Sequence, residues 1–85
     1  MDEETGSMTS EITVTDVRQA LSEQAEQLGW RRVRRERVDI YSRGIVHVHA
    51  MWRDGSTVNG GAQYEDSVLL NYTSELAKVQ IWLSK

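Results

Sequence analysis

His47 and His49 are the residues whose type and spacing come nearest to a catalytic or metal site. They stand two apart in the stretch VHVHA, and a strand points residues two apart to the same face. Imidazole is a common metal ligand, but such a site takes a third and usually a fourth ligand. Asp39 or Asp54 could approach only in one particular strand register, and no paired nucleophile or orienting group can be named. We therefore predict no metal, no cofactor and no enzymatic activity.

Arginines are concentrated in one part of an acidic chain. The whole chain carries a net charge of −3, yet residues 29–53 hold seven arginines against two acids, a net +5. Residues 1–28 carry −6 and residues 54–85 carry −2. A basic segment of this kind can recognise an acidic partner or nucleic acid. The alternative is that acids of the preceding helix, Glu23 and Glu26, neutralise it within the fold.

Length and composition restrict the class of protein. Eighty-five residues make one small domain with a thin stability margin, and the chain has no cysteine for a disulfide or a thiolate metal site. Residues 1–10 are predicted to be a disordered acidic tail, and residues 11–85 a single α+β domain. No apolar run approaches the ~18 residues of a membrane span, and the acidic N-terminus is unlike a signal peptide. We expect a cytoplasmic protein that contacts no membrane.

The elements that would position these residues begin with a helix. Residues 15–28 are predicted to be amphipathic, with Val17, Leu21, Gln24 and Leu28 on one stripe. Thr15 is the expected N-cap. Gly29 is expected to end the helix in a left-handed conformation, so that Trp30 folds back on the last turn.

Three strands are predicted next. Residues 31–42 favour one strand, residues 45–53 another, and residues 56–64 a third that follows the Asp54-Gly55 turn. Alternation in the second strand directs Val46, Val48, Ala50 and Trp52 to the core. Ile45, His47, His49 and Met51 are then left on the opposite face. In the first strand, strict alternation would place Arg31, Arg35 and Arg37 on one face with Val33. It would place Arg32 and Arg34 on the other face with Val38 and Ile40.

The C-terminal segment fits two patterns. Alternation of Val79, Ile81 and Leu83 is typical of a strand, whereas five apolar residues spaced by three and four favour a helix over residues 67–84. These five are Leu69, Tyr72, Leu76, Val79 and Leu83. The longer pattern is harder to obtain by chance, so we predict a helix. The predicted fold is therefore α-β-β-β-α, with a three-stranded antiparallel sheet and both helices packed on one face.

This layout predicts a small protein-interaction or regulatory module. It would bind an acidic partner surface through the uncovered sheet face and the arginines beside it. The predicted partner-binding residues are Arg31, Arg32, Arg34, Arg35, Arg37, Arg43, Ile45, His47, His49 and Met51. The small core and the uncovered face also predict a homodimer or a larger homo-oligomer. Eight arginines against two lysines, together with the short length, favour a bacterial or phage accessory protein.

The alternative function is nucleic-acid binding, with Arg31 to Arg37 on the phosphates. The predicted order of elements resembles that of double-stranded-RNA-binding domains, in which a lysine cluster begins the last helix. The matching region here, EDSVLLNY, is acidic and has no lysine. The resemblance therefore concerns topology and implies no shared function.

Overall fold

The first helix, α1, spans Val17–Gln27 in the computed structural model, which describes residues 16–85. Its N-cap is Asp16, whose carboxylate accepts a hydrogen bond from the backbone N–H of Gln19 at 3.0 Å. The predicted tail, residues 1–10, and the predicted cap Thr15 lie outside the described residues. Acidic caps satisfy the free N–H groups of a first turn, so Asp16 can define this start without Thr15.

The end of α1 follows the prediction. Gly29 has a φ of +90°, the left-handed conformation that glycine adopts at little cost. Trp30 then turns back, and its backbone N–H donates to the carbonyl of Ala25 at 3.1 Å. Its buried indole Nε1 donates to the carbonyl of Leu83 at 2.8 Å. Trp30 thus ties the end of the first helix to the C-terminal end of the chain.

The buried face of α1 differs from the predicted stripe. Its buried residues are Arg18, Leu21, Ser22 and Ala25, whereas the predicted stripe residue Leu28 is 42% exposed. The helix is still amphipathic, but its buried face is rotated about the helix axis from the predicted one, so that it includes Arg18. Polarity alone could not reveal this, because arginine normally marks the solvent side of a helix.

Five strands follow in one antiparallel sheet, with neighbours along the chain also neighbours in the sheet. Their bounds are β1 Arg31–Arg34, β2 Val38–Arg43, β3 Val46–Trp52, β4 Val58–Glu65 and β5 Val68–Thr73. A second helix, α2, spans Leu76–Ser84. Over residues 16–85 the element order is α-β-β-β-β-β-α, so the predicted three-stranded sheet is wrong, and so is the topological likeness to double-stranded-RNA-binding domains.

The sheet has two more strands than predicted because two of the predicted elements each divide in the structure. Residues 31–42 form β1 and β2, separated by a turn over residues 35–37. The first part of the predicted C-terminal helix is β5, joined to β4 by a two-residue turn of Asp66 and Ser67. Both turn residues have positive φ, 54° and 68°, as a type I′ hairpin requires. Leu69 and Tyr72 therefore belong to a strand, although they keep helical spacing with Leu76.

Both helices pack on one face of the sheet, which we call the helix face. The core lies between them and consists of Leu21, Ala25, Trp30, Tyr41, Val48, Ala50, Trp52, Val79 and Leu83. The predicted inward direction of Val48, Ala50 and Trp52 is confirmed, since all three are 2% exposed or less. The other sheet face has no covering element among residues 16–85, and we call it the open face.

Candidate protein-interaction surface

The open face crosses all five strands. Ser42 on β2 lies opposite Arg31 on β1 and His47 on β3, and the strand pairings fix the other positions, with register shifts at Met51/Trp52 and at Gln63/Tyr64. Its thirteen paired positions are Arg31, Val33, Val38, Ile40, Ser42, His47, His49, Met51, Gly60, Ala62, Tyr64, Leu69 and Tyr72. None of these thirteen is acidic. The predicted residues His47, His49 and Met51 lie here, and Ile45 lies in the adjoining turn with 55% exposure.

The centre of the open face is largely apolar and partly packed against itself. His49 and Tyr64 stack as tilted rings with centroids 4.7 Å apart. Ala62 beside them is only 4% exposed, while Tyr72 at the β5 edge is 64% exposed. Burial, followed by the neighbouring charge of His47, lowers the pKa of His49 below its usual value. The neutral imidazole is therefore favoured, and the centre of the face presents rings and aliphatic side chains.

One end of the open face is polar. Arg31, Ser42, His47 and Tyr64 lie in a row of cross-strand neighbours on β1 to β4. A shallow cavity of about 330 Å³ opens at this end, lined by Gly29, Arg31, Ser42, Arg43, Gly44 and His47. We call these four row residues the donor row, because each can donate a hydrogen bond. Such a row suits a carboxylate or another oxyanion.

The predicted arginines do not gather on one surface. Arg31 is on the open face, whereas Arg32 and Arg34 lie opposite Tyr41 and Asp39 on the helix face. Val38 and Ile40 lie with Arg31 on the open face, so their predicted grouping with Arg32 and Arg34 is wrong. The cause is the turn over residues 35–37, which breaks the alternation assumed for a single long strand.

Several of these arginines have partners within the fold. Arg43 stacks over the Trp30 ring at 4.4 Å and donates to the Leu28 carbonyl at 2.8 Å. Arg37 donates to the carbonyl of Arg53 at 3.1 Å. Arg32 approaches Glu26 of α1 at 3.8 Å, the contact expected if the helix acids neutralise the basic segment. Arg31, Arg34 and Arg35 are exposed.

A buried ion pair links α1 to the sheet and was not predicted. Arg18 is 6% exposed and Asp39 is fully buried. The guanidinium contacts both carboxylate oxygens, Nε to Oδ2 at 2.8 Å and Nη2 to Oδ1 at 2.9 Å. Trp52 Nε1 also donates to Asp39 Oδ2 at 3.2 Å. The hydrogen bonds that Arg18 donates to the Asp39 carboxylate, opposed in part by desolvation, raise the pKa of Arg18.

The same guanidinium supports the turn between β1 and β2. Its Nη1 donates to the carbonyl of Glu36 at 2.9 Å, and its Nη2 to that of Arg35 at 2.7 Å. A groove of about 610 Å³ lies beside it, between the start of α1, this turn and the β3–β4 loop. Arg34, Arg37 and Arg53 line this groove, but three acids line it too: Asp16, Glu36 and Asp54. Arg18 lines the groove as well, but the buried Asp39 neutralises it, so the other three arginines and the three acids balance.

His47 and His49 are not part of a metal-binding cluster within residues 16–85. Within residues 16–85, no three His, Cys, Asp or Glu side chains are grouped closely enough to hold a metal ion. Asp39, considered above as a third ligand, is turned to the helix face and bound to Arg18, away from His47 and His49. No helix in the described part of the chain is long and apolar enough to cross a membrane.

Comparisons with known proteins found no counterpart: no protein-family model, no curated protein and no solved structure matches this chain.

Proposed function

We propose that this chain is a small, non-enzymatic protein-interaction module that binds an acidic, partly apolar partner surface through its open face. The observation that carries the proposal is the open face itself, a sheet surface that no element of residues 16–85 covers, with an apolar centre, a donor row at one end and no acid at its paired positions. Antiparallel sheets often leave one face to solvent, but such a face is then usually polar. Contiguous exposed apolar surface more often marks a binding site.

The chemistry of the partner follows from the two parts of this face. Val33 and Tyr72, which are 44% and 64% exposed, offer apolar area at opposite edges. The donor row offers Arg31 as a planar cation, with hydroxyl and imidazole groups beside it. An acidic side chain placed on this row would accept charge-assisted hydrogen bonds. A partner with an acidic group next to an apolar patch fits both parts.

In this proposal, only some of the predicted arginines contact the partner. Arg31 is the arginine of β1 that shares a face with the apolar centre, while Arg32 and Arg34 lie on the other side of the sheet. Arg43 is held over Trp30, so it contributes to the rim of the smaller cavity from a fixed position. The high arginine content of residues 29–53 thus serves several purposes, of which partner recognition uses a part.

Two exposed arginines of the same strand provide a matched test. The probe is a short peptide that alternates glutamate with leucine, followed through the backbone amide signals of the protein. We expect shifts at Ser42, His47 and His49, and an affinity about tenfold lower for Arg31→Glu, which places like charge against the probe. Arg34→Glu makes the same charge change on the helix face and should bind the peptide nearly as well as the wild type. Equal losses in both variants would show a bulk charge effect and contradict the proposal.

The same variants distinguish the nucleic-acid alternative. A short DNA duplex replaces the peptide, and binding is measured at two salt concentrations. Steep salt dependence, with losses from Arg34→Glu as large as those from Arg31→Glu, would support phosphate binding by residues 31–37. Absence of duplex binding beside peptide binding on the open face would support the protein-interaction proposal. Capture from a host lysate by wild type and Arg34→Glu, but not by Arg31→Glu, would then identify the partner.

A further inference from the structure

The two edge strands of the sheet differ sharply in character. β1, at one edge, has the sequence RRVR, so three of its four residues are charged. β5, at the other edge, has the sequence VLLNYT and no charged residue. Four of its side chains, Val68, Leu69, Leu70 and Tyr72, are between 49% and 64% exposed. An edge strand presents unpaired backbone N–H and C=O groups, and proteins usually guard such an edge with charge or proline.

We propose that β5 pairs with β5 of a second copy of this chain, in an antiparallel arrangement about a two-fold axis. The result would be one continuous ten-stranded sheet. The charges select this edge, because pairing β1 with itself would bring six arginines together, and like charges facing each other across strands are destabilising. Pairing β5 with itself opposes apolar and neutral polar residues instead. The assembly also stops at a dimer, because both copies use the same edge and no second β5 edge is left free.

A bulge in β5 fixes the register of this pairing. Tyr64 pairs with Leu69 while Gln63 pairs with Asn71, so Leu70 is an extra residue in the strand. As a result Leu69 and Tyr72, three residues apart, both lie on the open face. Strict alternation would place two such residues on opposite faces.

The face pattern of β5 is therefore symmetric about the point between Leu70 and Asn71. Val68 and Thr73 lie on the helix face, opposite Glu65 and Gly61 of β4. In the antiparallel pair, Leu69 of one copy then meets Tyr72 of the other, and Val68 meets Thr73, with faces matched. An aliphatic residue opposite an aromatic one is a favourable cross-strand pair. A shift by one residue would set open-face side chains against helix-face side chains, so this register is favoured.

The pairing would also join the two open faces into one surface of twice the area. This inference does not depend on the acidic partner, since it concerns the edge and not the donor row. It assigns the self-association predicted from the small core to β5. β5 pairing adds hydrogen bonds along six residues and two aromatic contacts, so the dimer should be weak and concentration-dependent.

The test uses two double variants that differ only in the sign of one charge. Leu69→Lys with Tyr72→Lys places like charges opposite each other at both symmetric contacts. Leu69→Lys with Tyr72→Glu places opposite charges there. We expect wild type to dimerise at high micromolar concentration in sedimentation velocity, and the dimer dissociation constant to be at least about tenfold larger for the Lys/Lys variant than for the Lys/Glu variant.

Two controls keep the result interpretable. Circular dichroism should show equal folding of both double variants, since both positions are more than half exposed. Val33→Lys adds a charge to the open face at the opposite edge strand and should leave dimerisation unchanged. A monomeric wild type would overturn the proposal, as would equal dissociation constants for the two double variants or loss of the dimer in Val33→Lys. Peptide binding by the Arg31→Glu and Arg34→Glu pair is measured separately, so failure of one proposal is distinguishable from failure of the other.

Discussion

Arg18 and Asp39 form a bidentate, buried ion pair across a sequence separation of 21 residues. The single arginine of the acidic N-terminal third pairs with one of only two acids in the arginine-rich window. The pair fixes the start of α1 against β2, and the remaining N–H groups of Arg18 hold the turn between β1 and β2. Buried charge is tolerated here because each carboxylate oxygen and most guanidinium donors are satisfied.

Removing one partner of this pair should be costly. Asp39→Ala leaves the Arg18 charge buried without its counter-ion and removes the acceptor of the Trp52 indole. We expect the free energy of unfolding, measured by urea denaturation, to fall by about 3–5 kcal/mol. Glu26→Ala, which removes the partially exposed contact to Arg32, should cost at most about 1 kcal/mol. Similar costs for the two variants would show that the Arg18 pair contributes no more than a surface contact.

Trp52 combines apolar burial with a hydrogen bond to the same network. It is 2% exposed, and its Nε1 donates to Asp39. Trp52→Ala should lower the free energy of unfolding by about 3–5 kcal/mol, through lost transfer energy and the remaining cavity. That is a large part of the stability of a domain this size. Trp52→Phe retains much of the ring but loses the donor, so thermal melting should rank it between wild type and Trp52→Ala. An unchanged melting temperature in Trp52→Ala would place the core on the other sheet face.

Local signals in the sequence were sufficient for part of the fold. The stop of α1, the inward side of β3 and the turn after Trp52 depend on neighbouring residues, and all three agree with the structure. The N-cap of α1 is Asp16 and not the predicted Thr15. The division of residues 31–42 could not be seen, because arginine and glutamate at 35–37 carry no turn signal as strong as Gly55. The strand over Val68–Thr73 was missed because Leu69 and Tyr72 happen to keep a spacing of three. Residues three apart normally lie on opposite faces of a strand, and the β5 bulge puts Leu69 and Tyr72 on the same face.

The candidate site was only partly predictable for a related reason. Alternation within β3 placed His47, His49 and Met51 together, because their spacing of two needs no tertiary information. The donor row needs the register of four strands, which turns outside those strands determine. The Arg18–Asp39 pair depends on one long-range contact, and an arginine among helix surface residues has no sequence signal for burial. The only sequence feature that hints at this buried pair is Asp39, an acid that lies between the β-favouring residues Val38 and Ile40.

Two adjacent glycines of β4 provide a matched pair of substitutions. A Cβ at Gly61 would overlap Cγ2 of Val79 on α2, in the core. A Cβ at Gly60 would approach Tyr72 Oη at 2.7 Å, on the open face, where the tyrosine side chain is exposed and can move. We expect Gly61→Ala to lower the free energy of unfolding by about 1–3 kcal/mol and Gly60→Ala to cost clearly less. The reverse order in urea denaturation would contradict the packing of α2 on β4.

His49 should make stability depend on pH in a defined direction. Burial is the larger cause of its lowered pKa, and the nearby His47 charge is the smaller. In the folded protein His49 therefore resists protonation, while the unfolded chain takes up the proton near the ordinary value of 6.5. The unfolded state then binds more protons, so stability falls as the pH drops through 6.5 toward the lowered folded pKa. Above that range His49 is neutral in both states and contributes no pH dependence.

Replacement of each histidine separates these two causes. His49→Gln should flatten the fall in urea stability below pH 6.5, because the group that titrates differently in the two states is gone. His47→Gln removes the nearby charge, so the pKa of His49, followed by the imidazole proton signal in NMR, should rise. It should still lie below the ordinary value, since burial against Tyr64 persists. A His49 pKa that returns fully to the ordinary value in His47→Gln would mean that charge, and not burial on the open face, lowers it.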